Sequence, residues 1–212
     1  MPFDPLAVDG AIIAILRGVA AERAVAVGAA IYRAGIRVIE VPLNSPDPFA
    51  SIAALAANRA ADCLIGAGTV LKADDVSQAH AAGARLIVAP NCDVQVIERA
   101  MALKMRVIPG VATPTEAFTA IHAGASELKL FPAAALGAGF LRCLREVLPP
   151  AVRLFPVGGI GADEFRGWLA AGAAGFGVGT QLFRPEYSLE EVSTRAQRLI
   201  GALRQAREAI GD

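Results

Sequence analysis

The chain has 212 residues, of which 55% are hydrophobic and 19% are charged, so it can bury a large core. Lys and Arg together number 20 and balance 20 Asp and Glu residues. Because no net charge attracts the protein to nucleic acid or to an anionic membrane, we expect neither as a partner.

Short β-rich runs alternate with Ala-rich helical segments along the chain. Strands are predicted at 11–16, 37–43, 64–70, 86–90, 106–111, 127–132, 153–159 and 175–180. Helices are predicted at 21–34, 46–59, 73–82, 93–104, 114–123, 138–148, 162–171 and, as a longer closing element, 188–209. Ser45-Pro46 and Thr113-Pro114 place a capping hydroxyl before a proline and therefore predict two helix starts.

Eight alternations with continuously apolar strands predict a parallel sheet covered by helices. This favours an α/β fold, a single (β/α)8 TIM barrel over residues 1–212, with an N-terminal lead-in segment and a long C-terminal helix. A doubly wound open sheet is the alternative. No linker or second domain is indicated.

The N-terminal residues and the cysteines indicate the compartment. The segment 1–18 has an acidic start and a short apolar run that Arg17 interrupts, which predicts neither a signal peptide nor a membrane span. Cys63, Cys92 and Cys143 are odd in number and far apart, as is typical of reduced thiols. We therefore expect a cytoplasmic protein.

Polar residues interrupt the apolar strands near their C-terminal ends, where a barrel carries its chemistry. Arg17 ends the first predicted strand, and Glu40 lies in the second. Alternate strand residues share a face, so both point inward with their apolar neighbours. Further positions at this rim are Asn44, Thr69, Pro90, Lys129 and Phe131.

Lys129 stands between Leu128 and Leu130 in an otherwise apolar strand. A buried ammonium is costly unless it is paired or partly neutralised, and Glu40 is a candidate partner. A buried salt bridge without chemistry is the simpler interpretation. Because such a pair adds little net stability over apolar residues, we favour a catalytic role. Glu127 lies deeper on the same face, where a structural role is expected.

Glycine-rich loops follow the last two predicted strands. VGGIGADEF contains Gly158 and Gly159, and GVGT contains Gly179 and Thr180. Backbone amides in such loops hold anions, and these two loop positions are the common phosphate seat of α/β barrels. They predict a phosphate-binding site, with ordinary turns as the alternative.

Metal chemistry and thiol chemistry are not indicated. His80 and His122 lie in helix patterns away from the rim, and the cysteines are distant from both histidines. Ligand spacing for a metal is therefore missing from the sequence, and no cofactor is expected. Cys92 follows the fourth predicted strand, but no histidine is near enough to activate its thiol.

Seven ordered blocks, spread over most of the chain, carry a specific resemblance. They are IAILRG, VIEVPLNSP, IGAGTVL, IVAPN, PGVATPTEAF, LKLFPA and PVGGI. Together they resemble the class I aldolases that cleave 2-keto-3-deoxy-6-phospho sugar acids. The resemblance implies a (β/α)8 barrel, a homotrimer and a carbon–carbon lyase that needs no cofactor. It also implies a phosphorylated keto-acid substrate, with pyruvate and glyceraldehyde 3-phosphate as products.

Two branches of that family differ at positions that this chain also contains. The phosphogluconate branch typically has an Arg four residues after the catalytic Glu and a Thr before Gly-Gly, where this chain has Asn44 and Val157. Both residues, with Arg17, resemble the phosphogalactonate branch, which implies a place in galactonate catabolism. Thr180 replaces a more usual serine and keeps the hydroxyl.

The resemblance also assigns roles to matching positions. Lys129 would form a Schiff base with the substrate ketone, and Glu40 would carry protons. Arg17 and Thr69 would bind the carboxylate of the pyruvate end, and Phe131 would exclude water. Pro90, Asn44 and Val157 complete the implied substrate-binding set, and Gly158, Gly159, Gly179 and Thr180 form the phosphate-binding set.

Three alternatives stay open at this point. In a phosphate-binding isomerase or synthase of the same barrel group, Lys129 would only pair an anion. A phosphogluconate-branch or broad keto-acid aldolase would differ in substrate alone. A non-catalytic phosphosugar-binding barrel would bind its ligand without turnover.

Overall fold

The computed structural model describes residues 4–6 and 11–211, in which strands and helices alternate. The strands are β1 (Ala11–Ile15), β2 (Val38–Pro42), β3 (Leu64–Gly68), β4 (Leu86–Val88), β5 (Arg106–Ile108), β6 (Gly110–Val111), β7 (Glu127–Leu130), β8 (Arg153–Pro156) and β9 (Gly175–Val178). The helices are α1 (Ala21–Arg33), α2 (Pro48–Asn58), α3 (Ala73–Ala81), α4 (Val94–Ala102), α5 (Pro114–His122), α6 (Ala133–Val147), α7 (Phe165–Ala170) and α8 (Leu189–Glu208), with a 3-10 turn at Ala162–Glu164.

The strands form a curved parallel sheet in two parts, with the helices outside, which confirms the predicted α/β class. One part has the order β5-β4-β3-β2-β1-β9, and the other has the order β6-β7-β8. A parallel bridge between Val157 and Gly177 joins the end of β8 to β9. The predicted strand 106–111 is broken into β5 and β6 at Pro109, which has no backbone N–H to donate to a ladder.

The strands are mostly apolar because both of their faces are largely buried. Strands β1, β2 and β9 are buried at every residue. A large apolar cluster fills the space between the strands and the helices, and a smaller one, which includes Ile13, Val38 and Phe155, fills the inner side of the sheet. Leu6, from the predicted lead-in segment, is buried in this smaller cluster; residues 1–3 and 7–10 of that segment lie outside the described residues.

One predicted helix start is wrong and one is confirmed. Helix α2 begins at Pro48 rather than Pro46, after an Asp47 with a φ of 38° whose side chain caps nothing. The hydroxyl of Ser45, the predicted cap, instead accepts a hydrogen bond from the backbone N–H of Gly18 at 2.9 Å. This contact between two loops uses the hydroxyl that was expected to cap α2. Thr113, by contrast, caps α5 as predicted.

Of two further helices, one begins earlier than predicted and the other matches its prediction. Helix α6 begins at Ala133, directly after the loop behind β7, and not at 138; Gly137, with a φ of 78°, interrupts it. The long closing helix is confirmed as α8, which Ser188 caps in a capping box with Glu191. None of the helices in the described part of the chain has both the length and the apolar character that crossing a membrane requires.

Glu127 has the structural role that was expected of it. Its carboxylate, at the N-terminal end of β7, accepts two hydrogen bonds from the guanidinium of Arg106, one of them from Nε at 3.1 Å. Arg106 also donates to Asp4 at 2.6 Å. This ion-pair network lies at the end of the strands opposite to the one where the remaining polar strand residues meet.

Candidate active site

A cavity of about 620 Å³ opens at the C-terminal ends of the strands. It brings together side chains that are far apart in sequence, and every predicted site residue except Asn44 lines it. These residues are Arg17, Glu40, Thr69, Pro90, Lys129, Phe131, Val157, Gly158, Gly159, Gly179 and Thr180.

Lys129 projects from β7 into this cavity and is only 6% exposed. Burial lowers the pKa of its ammonium below the ordinary value; Glu40 opposes this shift, and Arg17 adds to it. Its Nζ atom lies 4.7 Å from the ring centroid of Phe131, two residues further along the chain. The amine can therefore lose its proton more readily than a surface lysine.

Glu40 projects from β2 and is 2% exposed. Burial raises the pKa of its carboxyl to about 7, against the opposing charges of Lys129 and Arg17. Within the described residues its Oε2 atom has no hydrogen-bond partner, and no direct ion pair joins it to Lys129. The two charges therefore compensate each other through space, and the carboxyl can both hold and release a proton near neutral pH.

Gly68, at the end of β3, provides the space that the Glu40 carboxyl occupies. A β-carbon built at Gly68 would lie 1.9 Å from Glu40 Oε2, far inside van der Waals contact. Sequence reasoning did not assign this packing role to Gly68. The available signal was a glycine inside the apolar strand run LIGAG, because such glycines mark close approach of another group.

Arg17 is held at the rim by two polar neighbours. Its Nη1 donates to Asn44 Oδ1 at 2.5 Å, and its Nη2 donates to Thr69 Oγ1 at 3.5 Å. Thr69 has a φ of 55°, which is unusual for a β-branched residue and is found where the surroundings fix the backbone. Asn44 thus lies behind Arg17 and orients its guanidinium, and it does not line the cavity itself.

The two glycine-rich loops that follow β8 and β9 line one wall of the cavity. Gly158 and Gly159 both have positive φ, and a β-carbon at Gly159 would lie 2.7 Å from Ala134. Gly179 and Thr180 follow β9 and line the same wall. A larger residue at either glycine of the first pair would be strained, so this wall presents backbone rather than side chains.

Two cavity residues with polar or charged side chains were missed by the sequence analysis. Gln181 and Arg184 line the cavity beyond Thr180, in the loop between β9 and α8. Strand alternation indicates which way a side chain points, but no such period exists in a loop. Their direction became visible only in the structure.

The residues that were set aside lie apart from the cavity or are unreactive. His80 and His122 occupy the last turns of α3 and α5. The Cys92 thiol donates to the Glu116 carbonyl oxygen at 3.5 Å, and burial raises its pKa. Among the described residues, no group of three or more potential ligands is arranged to hold a metal ion.

Comparison with known proteins connects this geometry to a family. A family model described as KDPG and KHG aldolase matches residues 6–197. The 2-dehydro-3-deoxy-6-phosphogalactonate aldolase of Escherichia coli K12 is 43% identical over 195 residues, 92% of this chain and 95% of that protein. A probable enzyme of the same name from Rhizobium meliloti is also 43% identical, over 95% of this chain and 94% of its own.

Solved structures show the same relationship. A native KDPGal structure superposes with a TM-score of 0.91 and 43% identity, over 93% of this chain and 96% of its own. A KDPG aldolase from Legionella pneumophila, solved with pyruvate captured as a covalent carbinolamine intermediate, has a TM-score of 0.80 and 27% identity, over 97% and 98% of the two chains. The predicted family and the aldolase class are confirmed: this chain belongs to the KDPG and KHG aldolase family.

Proposed function

We propose that this protein is a Schiff-base-forming aldolase that cleaves 2-dehydro-3-deoxy-6-phospho-D-galactonate to pyruvate and D-glyceraldehyde 3-phosphate. The observation that carries the proposal is the buried Lys129, whose lowered pKa favours a neutral amine, beside a carboxyl at Glu40 with a pKa of about 7. A nucleophilic amine and a group that exchanges protons near neutral pH are what this reaction needs.

The first half of the reaction builds an electron sink. Lys129 Nζ attacks the C2 ketone of the substrate to give a carbinolamine. The neutral Glu40 carboxyl protonates the departing oxygen, which leaves as water, and a protonated imine remains. Because no carboxylate contacts Nζ directly among the described residues, its lone pair is free for the attack.

The second half breaks the carbon–carbon bond. The Glu40 carboxylate takes the proton of the C4 hydroxyl, directly or through a water molecule. The C3–C4 bond then breaks, its electron pair moves into the iminium, and the aldehyde leaves. The resulting enamine takes a proton at C3, and hydrolysis of the imine releases pyruvate and regenerates Lys129. The iminium accepts the electrons, so the scheme calls for no cofactor.

The cavity walls suit the two ends of the substrate. Arg17, oriented by Asn44, and Thr69 are placed to bind the carboxylate next to C2. Phe131 covers Nζ and keeps water from it. Pro90 and Val157 form apolar walls. The phosphate is assigned to the backbone of Gly158, Gly159, Gly179 and Thr180, together with the Thr180 hydroxyl.

The choice of the galactonate epimer rests on two positions and on the relatives. Asn44 and Val157 match the phosphogalactonate branch, and the relatives that are 43% identical carry that name. The test is to measure the cleavage of both C4 epimers at equal concentration. We expect a higher kcat/KM for the galactonate epimer. A preference for the gluconate epimer would assign the chain to the other branch, and cleavage of neither would favour a binding protein or an isomerase.

We further propose that the two parts of the sheet close into a single-domain (β/α)8 barrel and that the protein is a cytoplasmic homotrimer. The bridge between Val157 and Gly177 supports closure on one side, and the one-residue link at Pro109 supports it on the other. The three free cysteines support a reducing compartment. Sedimentation equilibrium tests the trimer: a mass near that of one 21.8 kDa chain would reject it.

A further inference from the structure

Arg184 is a cation of the cavity that the proposed mechanism leaves without a role. The cavity-lining residues within the described ranges carry three cationic side chains, those of Arg17, Lys129 and Arg184. The first two face the keto-acid end. Arg184 belongs to the loop that continues from Gly179 and Thr180, on the side assigned to the phosphate.

The backbone of the phosphate seat offers hydrogen-bond donors but no full positive charge. Glycine amides and a threonine hydroxyl donate hydrogen bonds, but they leave most of the charge of a phosphate dianion uncompensated. A guanidinium offers both a positive charge and paired donors to phosphate oxygens. Arg184 is the side chain on this wall that can provide both.

The guanidinium of Arg184 is not strongly engaged elsewhere. Its Nη1 atom lies 4.0 Å from Glu186 Oε1, between side chains that are 52% and 65% exposed. Its Cζ atom lies 5.8 Å from the ring centroid of Tyr187. Contacts at such distances and exposure contribute little, so the side chain can turn to a ligand at small cost.

The backbone around Arg184 is nevertheless fixed. Arg23, on α1, donates to the carbonyl oxygens of Pro185 and Tyr187, the latter at 2.7 Å. Leu182 and Phe183, just before it, are buried in the core. The loop is anchored on both sides of Arg184. A bound ligand therefore orders only the Arg184 side chain and not the loop backbone, so little affinity is lost to conformational entropy.

We propose that Arg184 is the side-chain cation that binds the 6-phosphate and that Arg23 is a positioning residue that fixes the loop carrying it. The proposal rests on the proposed function for its substrate. Arg184 thereby sets the preference for phosphorylated over unphosphorylated keto acids, whereas the keto-acid end of the site, around Lys129, is independent of it.

The first test compares Arg184→Gln with wild type on the phosphorylated substrate and on the same keto acid without its phosphate. We expect KM for the phosphorylated substrate to rise about tenfold, because a charge-assisted hydrogen bond is lost, with no change for the unphosphorylated one. Arg184→Lys keeps the charge and restores part of the loss. Arg204→Gln, an exposed arginine on α8, is the matched control and leaves both KM values unchanged. Equal KM values in Arg184→Gln and wild type would overturn the proposal.

The second test addresses Arg23. Arg23→Gln removes the two bonds to the loop, so we expect KM for the phosphorylated substrate to rise at least threefold while kcat stays within about twofold, with partial rescue in Arg23→Lys. A fall in kcat with an unchanged KM, or a loss of pyruvate trapping at Lys129, would contradict a positioning role that is confined to the phosphate side.

Calorimetry with inorganic phosphate separates this proposal from the proposed function. We expect Arg184→Gln to bind phosphate about tenfold more weakly than wild type and Arg204→Gln to bind it equally well. This comparison decides the role of Arg184 even if the wild-type protein cleaves neither epimer. Equal phosphate affinity in wild type and Arg184→Gln would reject Arg184 as the phosphate cation.

Discussion

Lys129 and Glu40 carry opposite charges in water, and burial shifts the pKa of each toward neutrality. Each group is opposed by the charge of the other, so the two shifts are smaller than burial alone would produce. An amine that loses its proton and a carboxyl that keeps one are suited to exchange protons with a bound substrate. The same desolvation that makes the pair reactive also makes it a cost to folding.

The cost of burying Glu40 predicts how stability depends on pH. The unfolded chain releases this proton near the ordinary pKa of 4.5, whereas the folded protein keeps it to about 7. Between those values the folded state binds more protons than the unfolded state, so rising pH destabilises the fold. Glu40→Gln removes this dependence. We expect its free energy of unfolding, relative to wild type, to increase by roughly 2 to 3 kcal/mol between about pH 4 and pH 8.

Urea unfolding of both proteins across that range measures the effect. A difference in stability that does not change with pH would show that Glu40 titrates near its ordinary pKa. The same variant should still trap pyruvate on Lys129 while its kcat falls by about 100-fold or more, because the proton carrier is gone.

Gly68 gives a second prediction at the scale of single residues. In Gly68→Ala the new methyl group would overlap the Glu40 carboxyl, which has to move away from the cavity. We expect kcat to fall by about 100-fold and the free energy of unfolding to fall by about 1 to 3 kcal/mol. Gly201→Ala is the matched control, since a β-carbon there meets nothing within 4 Å and alanine favours the helix. Wild-type kcat in Gly68→Ala would contradict the packing of Glu40 against this glycine.

At the scale of elements, the order of strands and helices could be predicted because their periods differ and both faces of each strand are buried. The failures have both local and tertiary causes. The sequence predicts Ser45 as a helix cap, but its hydroxyl instead accepts a hydrogen bond from the N–H of Gly18, which lies in another loop. Pro109 breaks a predicted strand into β5 and β6. Gln181 and Arg184 lie in a loop, where sequence spacing does not indicate side-chain direction.

The two candidate caps predict different outcomes in unfolding experiments. Thr113 Oγ1 accepts the N–H of Glu116 at the start of α5, at 3.2 Å, so Thr113→Ala should lower the free energy of unfolding by about 1 kcal/mol. Ser45→Ala leaves α2 uncapped as before, and its effect should fall on the Arg17 loop and hence on KM. Hydrogen exchange in α2 and α5 measures how far each variant destabilises its helix. Equal destabilisation of the two helices would contradict the observed capping.

At the scale of the whole molecule, the two ends of the strands have different chemistry. Ion pairs among Glu127, Arg106 and Asp4 lie at the N-terminal end, and each of these three charges has a partner. At the C-terminal end, Glu40 Oε2 is left without one, and Lys129 is buried without a direct counter-ion among the described residues. The reactive groups gather at the C-terminal end because parallel strands bring their C-terminal residues to one rim.

Reduction with borohydride in the presence of pyruvate tests the central claim most directly. The chain contains three lysines, so Lys72 and Lys104 serve as internal controls on the same protein. We expect one reduced pyruvate adduct per chain, located by peptide mass spectrometry on Lys129, and none in Lys129→Ala. The absence of an adduct in the wild-type protein, or an adduct at Lys72 or Lys104 that persists in Lys129→Ala, would contradict the assignment of Lys129 as the Schiff-base nucleophile.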